Sequence, residues 1–187
     1  MKIDKIIFKI TFNAMLLALG WVLPLFTGQI REIGNMLCPM HIPVMIGGIL
    51  LGWQSGLFLG LATPLTRSLM FGMPPLYPNA LGMAFELATY GVVCGIVFRI
   101  LFKSNIHIIL KTIITLLVAM VLGRAVWGLV RWIFTMISTE QQFSFKMFLS
   151  GAFITAWPGI IIQLILIPYI VFVLSRTDKG RSLLENK

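Results

Sequence analysis

Gly72-Met-Pro-Pro-Leu-Tyr-Pro-Asn79-Ala-Leu-Gly-Met-Ala-Phe-Glu86-Leu-Ala-Thr-Tyr90 sets a proline-stiffened turn directly before an apolar helix that carries one acid. Proline fixes φ and removes a backbone donor, so a regular helix starts after such a turn rather than through it. Glu86 then lies about seven residues, roughly 10 Å at helical rise, beyond the turn. A carboxylate at that depth has to sit inside whatever buries the helix, and the rest of the chain is read by its relation to it.

The surroundings of this stretch decide the class. Of the 187 residues, 58% are hydrophobic and 11% charged, and the mean hydropathy is +0.96. A soluble domain of this length needs a charged outer shell, whereas here apolar runs of bilayer-crossing length follow one another. The chain reads as an all-α integral membrane protein forming one membrane domain over residues 1–187. The net charge of +9 raises nucleic acid as a partner, but the basic residues fall in short segments between apolar runs, the pattern of a topology signal; no nucleic-acid role is expected. Lys2, Lys5 and Lys9 precede an apolar run without a small-x-small cleavage pattern, so the first helix is read as uncleaved. Cys38 and Cys94 fall toward opposite membrane faces and are read as thiols rather than a bridge.

Working outward, the sequence predicts six transmembrane helices: about Ile6 to Thr27, Met40 to Gly52, Ser55 to Phe71, Asn79 to Phe102, Ile108 to Ile137 and Phe145 to Leu174. The second and third are short and are joined by a tight Trp53-Gln54 turn, as a closely packed pair would be. An even number of crossings puts both termini on one side. Lys2, Lys5, Lys9, Arg99, Lys103, Lys111, Arg176, Lys179, Arg181 and Lys187 flank that side, against Arg31 and Lys146 on the other. Ten against two makes the termini cytoplasmic and puts Glu86 in the outer half of the membrane. Gly47, Gly48, Gly52, Gly56 and Gly60 recur at or near helical spacing and are read as intramolecular close packing, as Ala14 and Ala18 on the first helix would be on spacing alone.

Arg67, Arg124 and Arg131 are the other charges embedded in apolar helices, all at mid-depth or outside it. Each ionised group in hydrocarbon costs at least a few kcal/mol, so each needs a partner or a wet cavity. Glu86 can neutralise one arginine in a structural network, but three arginines against one glutamate leave about two positive charges over. Near them stand groups suited to a small polar ligand: Asn79, Tyr77, Tyr90, Thr155, Gln163, Asn35 and His41, with Trp127 and Trp157 as candidate cavity walls. Trp21, Trp53 and Trp132 read as interfacial belt residues, and His41 reads first as hydrogen-bonding a loop carbonyl, ahead of a direct ligand role.

Several chemistries fall away. There is no G-x-x-x-x-G-K-[ST] loop for a nucleotide and no G-x-S-x-G elbow. His41 and His107 fall on opposite faces, as do the cysteines, so no metal cluster and no cofactor is expected. No catalytic residue is assigned: a lone embedded Glu lacks the second carboxylate or His base that an intramembrane hydrolase needs. An intramembrane enzyme using Glu86, and a structural subunit without ligand, are the competing readings.

The Pro39-Met-His-Ile-Pro43-Val sequence at the start of the second helix, the Gly-rich second and third helices, and the stretch from Arg67 to Tyr90 resemble a substrate-specific S component of an energy-coupling factor (ECF) transporter. That resemblance spans essentially the whole chain. It implies a protein of the bacterial cytoplasmic membrane that binds a vitamin in a cavity on the extracellular side, capped by residues 28–39, 72–78 and 138–144. It implies as partners a transmembrane coupling subunit and two separate ATPase subunits, with toppling of the whole S component delivering the load. It also reverses the reading of Ala14-Met-Leu-Leu-Ala18, which matches the Ala-x-x-x-Ala face by which the family contacts the coupling subunit. Within the family, the arginine excess favours a ligand with a carboxylate or phosphate, pantothenate first, because guanidinium forks suit those groups. A pyridoxine-like or pyrimidine-like ligand would instead stack on Trp127, Trp157 or Tyr90, with Glu86 and Asn79 reading ring substituents. Replacing Arg67 or Arg131 by Ala is expected to abolish binding of an anionic ligand.

Overall fold

A computed structural model describes residues 2–27, 36–137, 144, 147–148, 150–151 and 155–185, excepting the side chains of residues 2–5, 27, 178–179 and 185. Every regular element among them is helical: α1 Lys2–Val22, α2 His41–Leu51, α3 Trp53–Phe71, α4 Leu81–Phe102, α5 Ile108–Ile137, α6 Trp157–Ser175 and α7 Asp178–Glu185. A 3-10 turn, Leu23–Thr27, extends α1, and a π turn, Leu76–Ala80, leads into α4.

Local chemistry accounts for the breaks. Pro24 cannot donate to the carbonyl four residues back, and α1 gives way to the tighter 3-10 turn beside it. Gly52, at φ 96°, turns the chain from α2 into α3 in a single residue, so α3 begins at Trp53 rather than at the expected Ser55. Gly72, at φ 68°, closes α3 with its N–H on the Ser68 carbonyl, a left-handed cap. The proline turn behaves as its sequence demands: Tyr77 has extended φ/ψ inside the π turn, and regular helix begins only at Leu81. The span of α5 coincides with its sequence reading. The sixth expected helix is observed from Trp157, and the part expected over 145–154 lies largely outside the described residues, as do the expected lids 28–35 and 138–143.

Helix α2 is the centre: ten of its eleven residues are buried, Ile42 excepted. Around it lie α1, α3, α4 and α6, while α5 packs on α4 and α6. The seam of α2, α3 and α4 is a backbone contact. A Cβ on Gly56 would strike the backbone of Gly91, one on Gly91 the backbone of Gly56, one on Gly48 the Gly91 carbonyl, and one on Gly60 the backbone of Ala88. The glycines therefore serve close helix approach inside the chain, as their spacing predicts. The far end closes where Lys111 donates to the Phe102 carbonyl at 2.9 Å and α7 buries Leu184 against the bundle.

The outer surface is apolar. Ile10, Leu69, Ile100, Ile137, Ile165 and Tyr169 are all more than 60% exposed, the inverse of a water-facing exterior. Among the described residues, four helical stretches, Ile6–Phe26, Leu76–Phe102, Ile108–Ile137 and Trp157–Ser175, are long and apolar enough to cross a bilayer. At eleven residues α2 reaches only about 16 Å, short of a hydrocarbon core of about 30 Å.

Candidate functional site

The carboxylate of Glu86 is 2% exposed and gathers side chains from three helices and one turn. Helix α4 places Tyr90 one turn beyond it on the same face, and the Tyr90 hydroxyl donates to Oε1 at 2.8 Å. Helix α5 supplies Arg124, whose Nη1 stands 2.9 Å from the same oxygen. Gly123 makes this approach possible, because a Cβ there would occupy the Tyr90 ring. Helix α2 supplies His41 as its first residue, with Nε2 at 3.7 Å from Oε1 and its ring 5.2 Å from that of Tyr90. Of the three embedded arginines, the one that neutralises Glu86 is thus Arg124.

Cys38 joins the cluster from the turn before α2. Its backbone is left-handed at φ 46°, unusual for a residue with a side chain, and its Sγ accepts from Arg124 Nη2 at 3.8 Å. Its carbonyl takes the His41 N–H at 3.1 Å and the Gln163 Nε2 of α6 at 3.4 Å. The approach of α6 depends on Gly159, where a Cβ would meet the carbonyls of Met36 and Leu37. The cluster so ties α2, α4, α5 and α6 together.

Two atoms in it lack hydrogen bonds. Neither ring nitrogen of His41 makes a hydrogen bond, and the residue is 3% exposed. The 3.7 Å separation from Glu86 exceeds hydrogen-bond range. An unsatisfied buried polar group costs about 1–3 kcal/mol, so this imidazole has hydrogen-bonding capacity to spare.

A second polar layer lies nearer the end of the bundle where α5 finishes and α4 begins. Arg131 donates to Asn79 Oδ1 at 3.0 Å, and Trp127 stacks on Phe148 with ring centroids 6.1 Å apart. Gly82 of α4 lies beside both: a Cβ there would make ordinary contacts, 3.6 Å from Arg131 and 3.8 Å from Trp127. Tyr77, half exposed, tilts on Phe134.

The other sequence candidates are placed elsewhere. Arg67 is buried on the side of α3 that faces α1, where Nη1 donates to the Trp21 carbonyl and the guanidinium lies 5.2 Å over the Phe71 ring. Trp21 itself donates to Thr66 Oγ1 at 2.9 Å. Trp157 opens α6 and is 58% exposed, a position on the outside of the helix rather than among the cluster. Asn35 lies outside the described residues. Ala14 and Ala18 share an exposed face of α1, while Leu16 turns into the core. Cys38 and Gly123 are the cluster members that sequence reasoning left without a role; Pro39 restricts the residue before it to extended backbone and so gave no signal of the left-handed φ found there.

A family model described as the ECF transporter substrate-specific component matches residues 8–171, a range that holds the whole Glu86 cluster. Comparison with curated proteins and with solved structures returns no match. The match covers most of the chain, and the protein belongs to the family of ECF transporter substrate-specific components.

Proposed function

We propose that this S component captures a vitamin at the extracellular side of the membrane, on the face of the Glu86 cluster, for uptake driven by separate ATPase subunits. The observation that carries the reading is His41: a buried imidazole whose two nitrogens make no hydrogen bond, beside the Glu86–Arg124 ion pair. Such a group is held for a ligand, and the family membership makes the ligand transported cargo rather than a reactant. The six crossings and cytoplasmic termini implied by the ten-to-two distribution of basic residues put the cluster in the outer half of the membrane. In this scheme the turn over 72–78 forms part of the lid.

Pantothenate is the ligand we place first. Arg131, held by Asn79, offers a guanidinium to its carboxylate, and the Glu86 cluster lies deeper to receive the other end. The stacked Trp127–Phe148 pair favours a second reading, a pyridoxine-like or pyrimidine-like ring lying against Trp127. Titration of the purified chain with pantothenate, pyridoxine and a thiamine-type pyrimidine separates them. Pantothenate binding lost on Arg131→Ala supports the first assignment; pyridoxine binding lost on Trp127→Ala supports the second. Saturation by none of the three removes the vitamin assignment.

Coupling is assigned to Ala14 and Ala18, whose exposed face of small residues lets a helix of the transmembrane coupling subunit approach closely. Ala14→Trp is expected to abolish copurification with that subunit while leaving the unfolding temperature of the isolated chain unchanged. Full retention of the complex would withdraw the assignment.

A further inference from the structure

The chemistry at His41 constrains which part of a ligand can sit there, on the reading that this cluster is the substrate site. Glu86 and Arg124 are 2.9 Å apart and cancel each other's charge in place. The Tyr90 hydroxyl already donates its hydrogen bond to Glu86 Oε1, and Cys38 meets the remaining terminal nitrogen of Arg124. Among the described residues of the cluster, the two nitrogens of the imidazole are left without a hydrogen bond, and in its neutral form that ring is one donor and one acceptor.

Three kinds of ligand group fail there. A carboxylate or phosphate would compete with Glu86 for Arg124 and leave one of two anions buried without a counter-charge. An ammonium would do the same to Arg124. A purely apolar group would leave both nitrogens of His41 unsatisfied. A hydroxyl or an amide, which donates and accepts at once, completes the imidazole and disturbs no charge. We infer that His41, beside the closed Glu86–Arg124 pair, is a specificity-determining residue that selects a ligand whose deep end carries an uncharged hydroxyl or amide.

The test uses pantothenate, whose hydroxyls lie at the end away from its carboxylate, and its analogue lacking both hydroxyls. Each is titrated into the purified full-length chain and into His41→Leu and His41→Gln. Wild type is expected to prefer pantothenate by about a hundredfold, His41→Leu to reduce that preference to about threefold or less, and His41→Gln, which keeps a donor and an acceptor, to restore most of it. A merely structural His41 would lower affinity for both probes equally. Equal binding of the two probes by wild type, or an undiminished preference in His41→Leu, overturns the inference while leaving capture of pantothenate in place. If His41→Leu does not fold, the wild-type preference and its retention in His41→Gln decide the matter. Binding of neither probe by wild type rejects the pantothenate assignment and this inference together.

Discussion

Arg67 and Arg124 are the same residue type in neighbouring apolar surroundings, both largely buried, yet they solve the problem of an embedded charge in opposite ways. Arg124 meets a carboxylate at 2.9 Å and becomes half of a neutral pair around which Tyr90, Cys38 and His41 assemble. Arg67 meets the carbonyl dipole of Trp21 and the face of Phe71, and fastens α3 to α1. The first arrangement ends in an unsatisfied imidazole; the second ends in two helices held together. On the proposed reading, an embedded arginine marks a ligand site only when the groups beside it are left open, and charge alone does not separate the two cases.

The largest effect expected from that difference is at Arg124. Arg124→Met strands the Glu86 carboxylate, buried and without its counter-charge, at a cost of about 3–5 kcal/mol. Thermal unfolding in detergent measures it, and adding Glu86→Gln to the same chain should recover most of the loss by removing the stranded charge. A double variant no more stable than Arg124→Met would mean that the ion pair does not organise this region.

Position along each helix axis was legible in the sequence, and rotation about it was not. Hydropathy and its interruptions located α5 over Ile108–Ile137 and the glycine-lined α2–α3 pair, because the bilayer and the turn residues act on length. The proline run before α4 was legible for the same reason, since ring geometry acts on the backbone locally. Which way a residue faces depends on how neighbouring helices dock. Trp157 was expected to wall a cavity from its depth alone, yet it faces outward at 58% exposure. Arg67, Arg124 and Arg131 were all expected at mid-depth or outside it, and only the docking of α5 on α4, through Gly123 and the Tyr90 ring, brings Arg124 to Glu86. Cys38 was out of reach because its left-handed backbone and its contact with Arg124, 86 residues away, are tertiary.

A smaller effect is expected at Arg67. Arg67→Ala removes one hydrogen bond from a charged donor and a cation–π contact but strands no opposite charge, so the expected loss is about 1–3 kcal/mol of stability. Ligand affinity, which the arginine excess alone would tie to this residue, is expected to stay at the wild-type value. If affinity falls while the unfolding temperature holds, Arg67 belongs with the substrate site and the contrast with Arg124 collapses.

The smallest and sharpest test is Tyr90→Phe. The ring keeps its place against Gly123 and beside His41, so the helix seam is preserved, and Glu86 keeps Arg124. Only the 2.8 Å hydrogen bond is lost, which costs about 1 kcal/mol, a shift of a few degrees in the unfolding midpoint. The lost donor also frees acceptor capacity on Glu86 next to the His41 nitrogens. A ligand hydroxyl can then donate to Glu86 as well as to the imidazole, so affinity should hold or rise even as stability falls. The same substitution at a purely structural network would lower both, and a parallel loss of stability and binding in Tyr90→Phe would place the cluster with Arg67 among the fasteners of the bundle.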